Sequence, residues 1–66
     1  MDGRVVAFDA ARGLGTVETD DGRRYGFHCT RLTNHRRDVA VGTPVRFRVV
    51  PGHLGVWEAD AVDPSA

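Results

Sequence analysis

Short apolar runs, each bounded by glycine, aspartate or proline, constrain the fold of this chain more than any other feature of its sequence. The apolar content is dominated by ten valines, with three leucines and no isoleucine. β-Branched residues in short runs between turn residues are typical of strands and not of helices. The predicted strands are 3–9, 12–19, 23–29, 43–50 and 56–62, so we expect an all-β protein.

The segments outside these runs predict a turn, a loop, one longer connection and a tail. Asp20-Asp21-Gly22 predicts a tight hairpin turn, because Asp-Gly suits the positive φ angles of such turns. Residues 30–42 have no clear hydrophobic period and predict a polar connection with a short 3₁₀ turn around Leu32. Residues 51–55 form a predicted loop, and residues 63–66 a frayed tail.

A length of 66 residues allows one small domain, 1–66. Five short antiparallel strands can bury their apolar face by closing into a barrel. Closure also pairs the two edge strands, so no edge with unpaired backbone groups remains. Val45, Phe47 and Val49 alternate with arginines, which places the three apolar side chains on the core face. Strand count alone leaves two small barrels open, the OB-fold and the SH3-like fold.

Charge and cysteine content limit the location and the partners. The formal net charge is +0, and all nine basic residues are arginines, so a nucleic-acid contact would need a local basic patch. A GC-rich genome would equally account for the arginine content.

The single Cys29 forms no intrachain disulfide and no signal peptide is recognised, so we expect a cytoplasmic protein. Apolar runs fall far short of the roughly 20 residues of a membrane span, and no membrane association is expected.

Catalytic and metal-binding motifs are not found in the sequence. His28 and Cys29 are adjacent, and neighbouring strand residues point to opposite faces, so they form no nucleophile–base pair. His28, Cys29, His35 and His53 lack the spacing of a zinc site. A filled barrel of this size also leaves little space for a substrate. We therefore expect no enzyme activity, no cofactor and no small-molecule substrate.

Several motifs occur in the order and spacing of one known family. Residues 3–9 are similar to a first strand, Arg-Gly-Leu-Gly-Thr-Val at 12–17 to a first RNA-binding motif, and Tyr-Gly-Phe-His-Cys at 25–29 to a second. The chain thus resembles the bacterial cold-shock proteins over residues 3–62. The resemblance implies a five-stranded antiparallel OB-fold barrel that binds single-stranded RNA or DNA, as an RNA chaperone or a regulator of transcription or translation.

The candidate contact residues come partly from the resemblance and partly from the sequence itself. The family's binding positions hold Phe8, Arg12, Leu14, Thr16 and His28. Two residues outside the matched motifs are added. Arg31 belongs to a basic cluster with His35, Arg36 and Arg37, and Trp57 offers a ring that the family lacks at this point.

Five positions where the family has rings carry other residues here: Ala7, Leu14, Thr16, Gly26 and Cys29. Only Phe8 and His28 keep rings at the inherited positions. Each stacked base contributes roughly 1–3 kcal/mol, so we expect weak binding that rests mainly on arginine–phosphate contacts.

Each candidate also has a structural alternative. Phe8 fits the core as well as the binding face, Arg12 fits a solvated turn, and the loop arginines fit an ordinary polar connection. Trp57 either caps the barrel end or replaces a lost stacking ring. Tyr25, Phe27 and Phe47 are expected in the core. The functional alternative is an interface with a protein partner or a second copy, formed by an aliphatic patch of Val6, Ala7, Leu14, Thr16 and Cys29.

Overall fold

The computed structural model describes residues 1–52 and 55–64. Five strands are present in that part of the chain: β1 Asp2–Asp9, β2 Leu14–Thr19, β3 Arg24–His28, β4 Pro44–Pro51 and β5 Trp57–Asp63. A 3₁₀ turn, Cys29–Arg31, follows β3 directly and ends just before Leu32. The all-β prediction is confirmed.

The strands form a closed barrel in the order β1-β2-β3-β5-β4, with β4 pairing back onto β1. This is an OB-fold-like barrel, as expected, and four of its five strand pairs are antiparallel, whereas the fifth is not. β3 and β5 run parallel and meet at Gly26 and Glu58. The reason is geometric: strand directions cannot alternate all the way around a ring of five. Because the other four pairs are antiparallel, the fifth must be parallel.

Strand boundaries agree with the prediction to within one or two residues. The largest difference is at β2, where Arg12 and Gly13 belong to the preceding turn. The Asp9 carboxylate accepts hydrogen bonds from the N–H groups of Ala11 and Arg12, and Gly13 has a φ of 66°, so the turn continues to Gly13.

At the other end of the chain, β5 extends to Asp63, so that residue is not part of a frayed tail. Pro51 is the last residue of β4 and not part of a loop. The remainder of the predicted loop and tail includes residues 53, 54, 65 and 66, which lie outside the described residues.

The barrel interior is filled by apolar side chains from all five strands and from the connection after β3. They are Val5, Val17, Phe27, Leu32, Val45, Phe47, Ala59 and Val62. Leu32 joins this core although it lies outside the strands, because it bridges to Val62 in parallel and the Thr33 N–H donates to the Val62 carbonyl. The predicted burial of Phe27 and Phe47 is confirmed, and Tyr25 is partly buried against the same core.

A β-bulge in β1 determines which residues face outward. The pairing of β1 with β2 shifts between Val5 and Ala7, so Val6 is the extra residue. Val5 and Phe8 can therefore both face the core, and Ala7 faces outward. Phe8 then shares an inner row with Gly15 of β2 and Phe27 of β3.

Candidate nucleic-acid interface

The outer face of β1, β2 and β3 carries two rows of paired residues. One row is Asp9, Leu14 and His28, and the other is Ala7, Thr16 and Gly26. Leu14 is 47% exposed, and His28 is exposed as predicted. Three of the seven predicted contact residues, Leu14, Thr16 and His28, thus lie together on this face.

A groove lies at the edge of this face, between β3 and the start of β5. It is lined on one side by Leu14, Gly15, Thr16, Gly26, Phe27 and His28, and on the other by Val56, Trp57 and Glu58. Its volume is about 380 Å³. The parallel ladder between β3 and β5 contains a single residue pair, so the two strands separate beside it and the groove occupies the gap. We call this feature the Trp57 groove.

Trp57 is 56% exposed, so the alternative in which it caps the barrel end as a buried ring is wrong. Leu14 and Val56, at 47% and 62% exposure, are the other exposed large apolar side chains that line the groove within residues 1–52 and 55–64. Sequence analysis identified Trp57 but not its neighbour Val56 or the opposing Gly26. Val56 and Gly26 line the groove because β3 and β5 separate there. The sequence of neither strand by itself indicates this separation.

Gly26 gives the groove part of its depth. A Cβ atom built on Gly26 would lie no closer than 3.8 Å to any other atom, the nearest being the Gly15 carbonyl oxygen. A side chain at this position would therefore be accepted by the barrel and would occupy the groove instead.

The His28 ring is held in place at the start of the 3₁₀ turn. Its Nδ1 accepts a hydrogen bond from the Thr30 N–H at 3.2 Å and lies 3.0 Å from the Thr30 hydroxyl. Because Nδ1 is an acceptor of a backbone N–H, the neutral ring carries its proton on Nε2. The ring is thus oriented by its own backbone while it remains exposed beside the groove.

The other predicted contact residues lie away from the Trp57 groove. Phe8 is half-buried and stacks on Phe27, with ring centroids 6.3 Å apart, and it lines a separate depression with Ala7, Leu14 and Thr16. Arg12 lies in the β1–β2 turn, 3.9 Å from the Asp9 carboxylate. Arg31 lies 3.4 Å from the Asp60 carboxylate.

Most arginines of the barrel are paired with carboxylates. The pairs are Arg12–Asp9, Arg23–Asp21, Arg24–Glu18, Arg31–Asp60, Arg46–Asp2 and Arg48–Asp60. In the part of the chain that the structure describes, Arg4, Arg36 and Arg37 have no carboxylate partner. Among the described arginines, these three therefore carry the positive charge that no carboxylate balances locally.

Two of the carboxylates are held in their charged form. The Ala61 N–H, the Arg48 hydrogen bond and the charges of Arg31 and Arg48 lower the pKa of Asp60, against an opposing effect of burial. Hydrogen bonds from the Thr19 side chain and the Arg23 backbone, together with the charge of Arg23, lower the pKa of Asp21. These carboxylates therefore remain negatively charged to a lower pH than an unperturbed aspartate does.

The predicted aliphatic patch is not one surface. Val6 is the half-buried bulge residue, and Cys29 belongs to the 3₁₀ turn, where its sulfur lies beside the Gly13 backbone. Ala7, Leu14 and Thr16 do share the outer face. The exposed apolar area near them is completed by Val56 and Trp57, not by Val6 and Cys29.

Among residues 1–52 and 55–64, no three His, Cys, Asp or Glu side chains come together as a metal site requires. The same residues include no helix of the length and apolar character needed to cross a membrane. No model of a known protein family matches the sequence, and no curated protein matches it.

Proposed function

We propose that this protein is a weak binder of single-stranded nucleic acid, RNA or DNA, and that it holds bases in the Trp57 groove. The observation that carries the proposal is that two exposed flat rings, His28 and Trp57, border one groove beside a glycine. A nucleobase presents two flat apolar faces, and stacking on such a ring contributes about 1–3 kcal/mol.

The fold and the resemblance support a single strand as the ligand. In OB-fold barrels the face around strands 2 and 3 is a frequent site for oligonucleotides. A base must leave its stack to enter a narrow groove, which costs least in a single strand. The role that follows is that of a cold-shock-like RNA chaperone or regulator of transcription or translation. It would act in the cytoplasm, where the thiol of Cys29 stays reduced.

The proposal is tested by titrating ¹⁵N-labelled protein with a six-nucleotide oligo-dT or oligo-U. We expect shifts at Leu14, Thr16, Gly26 and the Trp57 indole. Trp57→Ala should raise the Kd at least five-fold, which corresponds to about 1 kcal/mol of lost stacking. Val41→Ala is the matched control, because Val41 is 63% exposed and lies outside the groove.

A second variant tests the groove without removing a ring. Gly26→Val places a branched side chain in the groove at a position where the barrel has room for it. We expect folding to be retained and oligonucleotide shifts to be reduced. If Trp57→Ala and Gly26→Val both bind like the wild type, or if the shifts map to another surface, the proposal is wrong.

The second candidate function is a protein interface, either with a partner or with a second copy. It is favoured by one observation: the exposed side chains of Leu14, Val56 and Trp57 border the same groove. Sedimentation velocity at increasing protein concentration separates the two functions. The interface would be established if the protein dimerises, Trp57→Ala abolishes the dimer, and no oligonucleotide shifts the NMR resonances of the protein. That result would exclude the nucleic-acid proposal.

A further inference from the structure

A second cavity lies at the start of the connection between β3 and β4. It has a volume of about 300 Å³ and is lined by Cys29, Thr30, Leu32, His35, Arg36 and Arg37. We call it the Arg36–Arg37 cavity. It adjoins the Trp57 groove along the chain, because His28 lines the groove and the next two residues line the cavity.

The charge of this cavity differs from that of most of the barrel surface. Of the three arginines without a carboxylate partner in the described residues, two, Arg36 and Arg37, line it. The carboxylate nearest in sequence, Asp38, lines a neighbouring depression and not this one. The cavity thus combines two guanidinium groups and an imidazole, and none of the described residues that line it is acidic.

The connection that carries these arginines is fixed to the core at one end of the cavity and forms a local turn at the other. Leu32 is 3% exposed and fixes the segment to the core. Beyond it, His35 has a φ of 61° and the Arg36 N–H donates to the Asn34 side chain at 3.0 Å, which forms a tight turn. The arginines therefore extend from a short, hydrogen-bonded turn beside a buried anchor.

We infer that the Arg36–Arg37 cavity binds backbone phosphates, one at each guanidinium group, of the strand whose base lies in the Trp57 groove. Guanidinium groups bind phosphate oxygens through paired, charge-assisted hydrogen bonds, and these two have no competing carboxylate within the described ranges. A strand that leaves the groove past His28 reaches the cavity over the 3₁₀ turn. The inference rests on the proposed function and assigns the phosphate contacts to this connection, whereas Arg12 and Arg31 are held by carboxylates.

The salt dependence of oligonucleotide binding tests this inference. In Arg36→Gln/Arg37→Gln we expect the slope of log K against log salt to become shallower by about 1.4, which corresponds to two phosphates on a single strand. Arg23→Gln/Arg46→Gln is the matched control: it changes the net charge equally but removes two arginines that are paired with Asp21 and Asp2. The control should keep the wild-type slope. An unchanged slope in the first variant would overturn the inference.

An abasic oligonucleotide, which has phosphates and no bases, separates this inference from the proposed function. We expect it to shift the amides of Thr30, Arg36 and Arg37 but not the Trp57 indole. If the abasic strand shifts these three amides while oligo-dT shifts no residue of the Trp57 groove, the phosphate site is supported and the proposed function is wrong. If oligo-dT shifts the groove while the abasic strand shifts none of these amides, this inference fails alone. Inorganic phosphate is tested at the same phosphate concentration. If it shifts the amides of Thr30, Arg36 and Arg37, the cavity is a site for free anions and the inference is also rejected.

Discussion

Gly15 is a residue at which the packing of the barrel tolerates little change. A Cβ atom there would lie 2.5 Å from Phe27 Cζ and 2.9 Å from Phe8 Cδ1, so the two rings occupy the space that a side chain would need. We expect Gly15→Ala to cost about 1–3 kcal/mol through overpacking. Each kcal/mol lowers the Tm of a domain this small by about 4–8 °C.

Thermal unfolding followed by circular dichroism measures this effect. Gly26→Ala is the control, because a Cβ there would meet no atom closer than 3.8 Å. Its Tm should stay unchanged or rise slightly, since alanine restricts the unfolded chain more than glycine does. Equal Tm values for the two variants would contradict the assigned packing of Phe8 and Phe27 around Gly15.

The single residues also show what the sequence alone could predict. The alternation of Phe27 with His28 was sufficient to predict a buried ring followed by an exposed one. For Phe8 the sequence left two alternatives open, because the bulge at Val6 changes the face of every residue after it in β1. The exposure of Trp57 depends on the gap between β3 and β5, a long-range feature that strand patterns do not reveal.

At the scale of elements, Asp60 of β5 joins two other segments. Its carboxylate lies 3.4 Å from Arg31 of the 3₁₀ turn and 3.2 Å from Arg48 of β4. The Ala61 N–H is the largest cause of its lowered pKa, and both arginines add to it. In the folded state the pKa lies below the ordinary value of 3.8, so the carboxylate stabilises the fold above pH 3.8. That stabilisation is lost as the pH falls from 3.8 through the folded pKa.

We therefore expect Asp60→Asn to be less stable than the wild type at pH 7 and to lose less stability on acidification. Urea unfolding at pH 7, 5, 3 and 2 measures both effects. Asp21 also has a lowered pKa, so Asp60→Asn should still lose some unfolding free energy on acidification. This loss should be smaller in Asp21→Asn/Asp60→Asn than in Asp60→Asn. A variant as acid-sensitive as the wild type would show that Asp60 does not connect these elements energetically.

The elements were predicted more completely than their pairing. Valine-rich runs and turn residues located five strands to within one or two residues. The start of β2 was predicted too early, because the side chain of Asp9 holds Arg12 in the turn and the positive φ of Gly13 ends it. The parallel pairing of β3 with β5 follows from closing an odd number of strands, whereas the strand patterns do not specify which two strands become parallel neighbours.

At the scale of the whole molecule, neutral net charge and extensive ion pairing limit how strongly any nucleic acid can bind. Nine arginines balance nine acidic residues, and six of the arginines lie within 4.0 Å of a carboxylate. A paired arginine must leave its carboxylate, or share it, before it binds a phosphate. Only Arg4, Arg36 and Arg37 avoid this competition in the described part of the chain.

We therefore expect a dissociation constant in the high micromolar range or weaker at physiological salt, with a salt slope no steeper than about −2 for three phosphates. Such a slope lowers the affinity about tenfold for a half-decade rise in salt. Fluorescence titration of Trp57 with oligo-dT at 50, 100 and 150 mM salt measures both quantities, because the indole is exposed and borders the groove. A slope much steeper than −2 would mean that the paired arginines exchange their carboxylates for phosphates. Tight binding that salt does not weaken would mean that base stacking dominates. Trp57, His28 and the partly buried ring of Tyr25 would then have to contribute more binding free energy than three rings ordinarily supply.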